Sequence, residues 1–131
     1  MEQRFGITVP LKHTVTSNRT AQTWKRQQTK EAMKALTEKH AAGLEPVGRA
    51  SIYVGIFKRT AGKYDPINTA DTWKGMVDHL VKMGILDEDD WQHVLGPIPY
   101  HAGIDRSLEP GTLRAIVTLG EYRQIPAEVT A

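Results

Sequence analysis

The chain has 131 residues, 40% hydrophobic and 24% charged, which suits one soluble globular domain and excludes wholesale disorder. No apolar run approaches the roughly 18 residues of a membrane-spanning helix, and Met1-Glu2-Gln3-Arg4 leads into strand-like sequence rather than a secretory signal. With no cysteine, disulfides, thiolate zinc sites and a cysteine nucleophile are excluded, and a cytoplasmic setting is the expectation. The net charge of +2 conceals a division: residues 1–63 carry twelve Lys/Arg against four Asp/Glu, residues 64–131 five against eleven. A basic half can hold a polyanion through phosphate contacts. An acidic half can hold a hard divalent cation through carboxylate oxygens. The plainer alternative is two oppositely charged, solvated faces that attract.

Residues 5–10 alternate like a short strand that stops at Pro10. Residues 11–19 read as an irregular connection, and 20–42 as a helix ending at Gly43. Its apolar stripe is thin (Trp24, Ala32, Ala35, Leu36), and Lys25, Arg26, Lys30, Lys34 and Lys39 crowd the rest, which predicts cover on one side only. Residues 49–57 form the clearest strand, with Ile52, Val54 and Ile56 on one face. A basic loop with Lys58, Arg59 and Lys63 follows. Asn68 or Thr69 can cap a second helix running to Met83, where Trp73, Met76, Val77 and Leu80 recur at i, i+3, i+4, i+7. The acidic turn Asp87-Glu88-Asp89-Asp90 precedes a short strand-like stretch at 91–95. Gly96, Pro97, Pro99, Gly103, Pro110 and Gly111 then predict a long irregular segment. Residues 113–119 read as the last strand, with a loose tail from about 121. The order β-α-β-α-β-β, without linker or repeat, predicts one α+β or α/β domain of helices layered on a small sheet over residues 1–131.

The carboxylates around the second helix are the most informative feature. Asp65 precedes it, Asp71 lies in its first turn, and Asp87, Glu88, Asp89 and Asp90 follow it. Magnesium is held by a few carboxylates plus waters and substrate phosphate, the set a phosphodiester-cleaving site needs. A helix over 69–83 is roughly 22 Å long at about 1.5 Å per residue, so Asp65 and Asp90 start from its opposite ends. They meet only if residues 85–90 run back antiparallel beside the helix, or if a second subunit supplies one carboxylate. Apolar Ile85 and Leu86 favour the first route. Lys74 lies three residues after Asp71 and four before Asp78, so all three share a helix face. That pattern fits either a surface charge ladder or a cation that stabilises a phosphoryl transition state.

Asp65-Pro66-Ile67-Asn68, then Lys74, then Asp78-His79-Leu80-Val81-Lys82-Met83-Gly84-Ile85-Leu86, then Asp89-Asp90 and Gln92-His93-Val94, resembles the RusA family of Holliday junction resolvases. Ser17-Asn18-Arg19 followed by Trp24 is similar to that family's polar motif ahead of its first helix, and the likeness covers roughly residues 5–119. The resemblance implies an α+β fold, a small mixed sheet with two main helices packed on it. It also implies a homodimeric, Mg²⁺-dependent crossover junction endodeoxyribonuclease, with Mn²⁺ able to substitute. Such an enzyme binds branched DNA, chiefly four-way junctions, nicks two opposed strands symmetrically, and often serves phage or prophage recombination and repair. Position by position, the resemblance makes Asp65, Lys74 and Asp90 catalytic, Asp65, Asp71, Asp89 and Asp90 metal ligands, and Asn68 supporting. Lys25, Arg26, Lys30, Lys34, Lys58, Arg59 and Lys63 would contact phosphates of the junction arms. Two positions depart from the pattern. Ile67 stands where some members have a further aspartate, so Asp71, Asn68, Asp89 or water must replace that ligand. Tyr64 stands where arginine often precedes the first aspartate, leaving Lys63 or Arg59 to serve.

His79 and His93 are expected to pack or to sit on the surface rather than to catalyse. Trp24 and Trp73 are expected as core anchors, while Trp91 adjoins the acidic turn and could wedge against an opened junction. No glycine-rich phosphate loop and no Gly-x-Ser-x-Gly elbow occurs. Beside the endonuclease stand two other readings: a junction-binding protein of the same fold weakened by the loss at Ile67, and a protein-interaction domain with two charged faces.

Overall fold

The computed structural model describes residues 2–14 and 23–123, and only the backbone of 23–25. Ser17-Asn18-Arg19, the side chains of Trp24 and Lys25, and the tail beyond Arg123 lie outside the described residues. The chain runs β1 (Gln3–Pro10), a 3₁₀ turn (Leu11–His13), α1 (Thr23–His40), β2 (Ala50–Lys58), a second 3₁₀ turn (Pro66–Thr69), α2 (Ala70–Lys82), β3 (Val94–Ile104) and β4 (Thr112–Gly120). The domain is α+β, with one four-stranded mixed sheet in the order β1-β4-β2-β3. β4 pairs antiparallel with β1 and β2, whereas β2 and β3 are parallel. A parallel neighbour needs a crossover, and α2 supplies it. Among the described residues no helix is long and apolar enough to cross a membrane.

Period-two burial builds the core. Phe5, Ile7 and Val9 of β1, Ile52, Val54 and Ile56 of β2, and Leu113, Ala115, Val117 and Leu119 of β4 are buried on one sheet face. Met33 of α1 and Trp73, Met76, Val77 and Leu80 of α2 join them in a single cluster. The α2 stripe is therefore the one its spacing predicts. On the opposite sheet face Tyr53 pairs in register with Ile98 and Gly55 with Tyr100, and Tyr53, Ile98 and Tyr100 are exposed. A Cβ on Gly55 would come within 2.9 Å of the Tyr100 hydroxyl, so a larger residue there would push that side chain aside.

Two expectations are corrected. The α1 stripe is not Ala32, Ala35 and Leu36 alone: Thr29, Met33, Thr37 and, just past the helix, Ala41 are the buried positions, and Ala35 is exposed. Spacing of four residues puts threonines on the inner face, and Thr37 satisfies its hydroxyl by donating to the Met33 carbonyl at 2.6 Å. The segment read as irregular from Gly96 onward is in fact most of β3. As an edge strand it needs ladder bonds on one side only, so Pro97 and Pro99 are tolerated. Its register against β2 slips between Ser51 and Tyr53 and between Ile56 and Phe57.

The stretch after α2 decides where the acidic turn goes. Gly84 ends the helix at φ +80°, a conformation that favours glycine. Ile85 and Leu86 are then buried. The Ile85 carbonyl accepts from Val47 and Gly48 N–H at 2.9 and 3.0 Å, and Asp87 N–H donates to the Gly48 carbonyl at 2.9 Å. These bonds turn the chain back along α2.

Candidate functional site

α2 is amphipathic, so burying Trp73, Met76, Val77 and Leu80 leaves Asp71, Lys74 and Asp78 on the side away from the core. The returning segment brings Asp89 to this side, where its carboxyl lies beside that of Asp78. The proton affinity of Asp78 rises above the ordinary carboxylate value, first through desolvation, then through the hydrogen bond and negative charge of Asp89. Lys30 of α1 and Lys74 pull in the opposite direction.

Two open hollows flank this group. One, of about 240 Å³, is lined by Ala70, Lys74, Val77, Asp78 and Asp89 together with Val94, Gly96 and Pro97 at the start of β3. The other, of about 210 Å³, lies between the helices and is lined by Arg26, Thr29, Lys30, Met33, Asp71, Thr72, Lys74, Gly75 and Asp78. Lys74 and Asp78 belong to both. Arg26 reaches Asp71 across the second hollow at 3.8 Å.

The sequence-derived candidates are thus divided. Lys74, Asp89, Asp71, Arg26 and Lys30 line the hollows, while Asp65 and Asp90 line neither. Asp65 opens the 3₁₀ turn ahead of α2, where its side chain accepts from Ile67 N–H at 3.2 Å and its carbonyl from Asn68 N–H at 3.0 Å. The Asp90 carboxylate accepts from Gln92 N–H at 3.1 Å and pairs with His93 Nδ1 at 2.6 Å, and this histidine holds it below the usual carboxylate range. Lys34, Arg59 and Lys63 are exposed, and Lys58 lies over the Tyr64 ring at 4.8 Å. Burial raises the Tyr64 phenol, whose oxygen is 2.6 Å from His101 Nδ1. His79 is buried with Nε2 3.2 Å from Glu38, and its Nδ1 has no partner among the described residues. Trp73 is a core anchor whose indole N–H donates to Thr69 Oγ1 at 2.8 Å.

Asp78, read from the sequence only as a neighbour of Lys74 on the helix face, is the carboxylate that lines both hollows. Its signal was present in the reach of the chain: a segment returning from Gly84 passes the last turns of α2, and Asp78, before it can approach Asp65. Among the described residues no three His, Asp or Glu side chains form a ready metal-binding group. Two do meet. Two carboxyls side by side have the donor chemistry of a Mg²⁺ site that takes its other ligands from water and phosphate. No protein-family model matches the sequence, and no curated protein matches it.

Proposed function

We propose that this chain is a metal-dependent, structure-selective endonuclease of RusA type, working as a homodimer on branched DNA and chiefly on four-way junctions. The observation that carries this reading is the meeting of Asp78, Asp89 and Lys74 in one open hollow, with Lys30 lining the adjoining one. Asp78 and Asp89 would hold Mg²⁺, or Mn²⁺ in its place, and loading would favour the ionised form of Asp78. When bound, the ion supplies polarisation of a phosphoryl oxygen. Lys74 and Lys30 offset charge that builds on the phosphate during hydrolysis, in which water adds to phosphorus and a sugar oxygen leaves. Arg26 and Lys34 on the same helix would hold flanking phosphates without reading bases. A two-fold dimer would offer one such site to each of two opposed strands.

A second reading, a junction-binding protein without cleavage, is favoured by one observation: Asp65 and Asp90 are engaged in local hydrogen bonds, and among the described residues no three carboxylates or histidines gather. One gel decides. Labelled four-way junction and linear duplex are incubated with and without Mg²⁺, using the parental protein, Asp78→Asn, Asp89→Asn, Asp65→Asn and Asp90→Asn. The expected result is paired nicks in the junction only, lost on the order of a hundredfold in Asp78→Asn and Asp89→Asn. Selective binding without metal-dependent product establishes the second reading. Loss confined to Asp65→Asn and Asp90→Asn moves the metal to the ends of α2.

A further inference from the structure

Trp91 is 76% exposed, the most exposed large apolar side chain among the described residues, while Trp73 is fully buried. An indole is normally drawn into a core or an interface, so one held in solvent calls for a ligand. Its turn is firmly built. Asp90 accepts through its carboxylate from Gln92 N–H at 3.1 Å and through its carbonyl from His93 and Val94 N–H at 3.1 and 3.0 Å. Asp90 also pairs with His93 Nδ1 at 2.6 Å. From the other side the Tyr122 hydroxyl donates to the Trp91 carbonyl, and the Arg49 guanidinium lies over the Tyr122 ring at 5.8 Å. Little backbone entropy remains to be lost when this residue meets a partner.

Position and charge narrow that partner. Asp89, whose carboxyl meets Asp78, lies two residues earlier, so the Trp91 Cα is within about 7 Å of the Asp89 Cα. The exposed Asp87, Glu88, Asp89 and Asp90 that precede the indole offer no cation to a phosphate directly, so what Trp91 itself adds beside them is an uncharged ring face. The face of a nucleobase is uncharged and stacks on an aromatic ring whatever its sequence. In intact duplex that face is occupied by neighbouring base pairs, whereas at a branch point it can be presented.

We propose that Trp91 is a stacking platform for an unpaired or splayed base at the branch point, and so a determinant of the preference for junctions over duplex. The proposal rests on the nuclease reading above and deepens it. Because the side chain is exposed, Trp91→Ala and Trp91→Phe leave the core untouched. Fluorescence anisotropy is measured in Ca²⁺ with a labelled four-way junction and a linear duplex, and oligomeric state by light scattering. In Trp91→Ala, junction affinity is expected to fall about tenfold with duplex affinity unchanged, and Trp91→Phe is expected to recover part of the loss. A second probe, 2-aminopurine at the branch point, should change its fluorescence on binding the parental protein and not Trp91→Ala. If the parental protein prefers junctions and Trp91→Ala keeps that preference, this inference fails and the nuclease reading stands. If Trp91→Ala instead dissociates an oligomer, the indole is a protein contact and the inference also fails. A parental protein without junction preference defeats both.

Discussion

Burial does most to lift Asp78 above the ordinary carboxylate value; the neighbouring Asp89 carboxyl adds to the rise, and Lys30 and Lys74 oppose it. Because the folded state raises its pKa above the unfolded value, Asp78 contributes favourably below the unfolded pKa of about 3.9. That contribution is lost as pH rises through the folded value. Asp78→Asn is nearly isosteric and cannot ionise. The variant is therefore expected to melt above the parental protein at pH 7.5, by less than about 1 kcal/mol of stability, with the difference vanishing near pH 3.5. Differential scanning calorimetry at the two pH values checks this, and equal differences at both would remove ionisation as the cause. Asp90 behaves in the opposite sense. His93 favours its charged form, so whatever the pair contributes is present at neutral pH and fades in acid.

At the scale of elements, α2 was legible because a strong apolar period of 3.6 leaves little choice of face. The α1 face was not, because two of its buried positions are threonines and one is Met33, which an apolar count over Ala32, Ala35 and Leu36 passes by. The observed stripe makes a quantitative claim. Met33→Ala should cost about 2–5 kcal/mol, whereas Ala35→Gln should stay within about 0.5 kcal/mol, both read from urea unfolding midpoints. Similar costs at the two positions would place the inner face of α1 wrongly. β3 was illegible for a different reason: proline and glycine report the local backbone, while the neighbouring β2 supplies the ladder that makes 94–104 a strand. The candidate site was half legible. Lys74 and Asp89 were found from spacing and order, but the partner of Asp89 depended on how far the turn after Gly84 travels. That distance is set by the bonds of Ile85 and Asp87 to Val47 and Gly48, which lie nearly forty residues upstream.

At the scale of the whole molecule, the imbalance between a basic first half and an acidic second half acquires a location. Arg26 and Lys30 of α1 face Asp71 and Asp78 of α2 across a shared hollow, so the two halves meet charge to charge where the helices pack. Replacing both Arg26 and Lys30 by Gln should weaken binding to junction and duplex alike. It should also lower the slope of log affinity against log salt by about one for each phosphate no longer neutralised. Lys39, exposed at the end of α1 and outside the hollows, serves as the control. An unchanged slope in the double variant would take α1 out of the DNA path.

Lys74 and Asp78 form a common wall between two chambers, and this shapes how mutants of the protein must be interpreted. Any change at either residue alters both compartments at once, so its phenotype cannot be credited to one of them. Clean attribution needs substitutions that belong to a single side: Arg26 or Thr29 for the interhelical chamber, Asp89 or Pro97 for the one against β3. The same partition means that a cation entering beside Asp89 would alter the field felt next door, so occupancy of one chamber tunes its neighbour through two shared side chains.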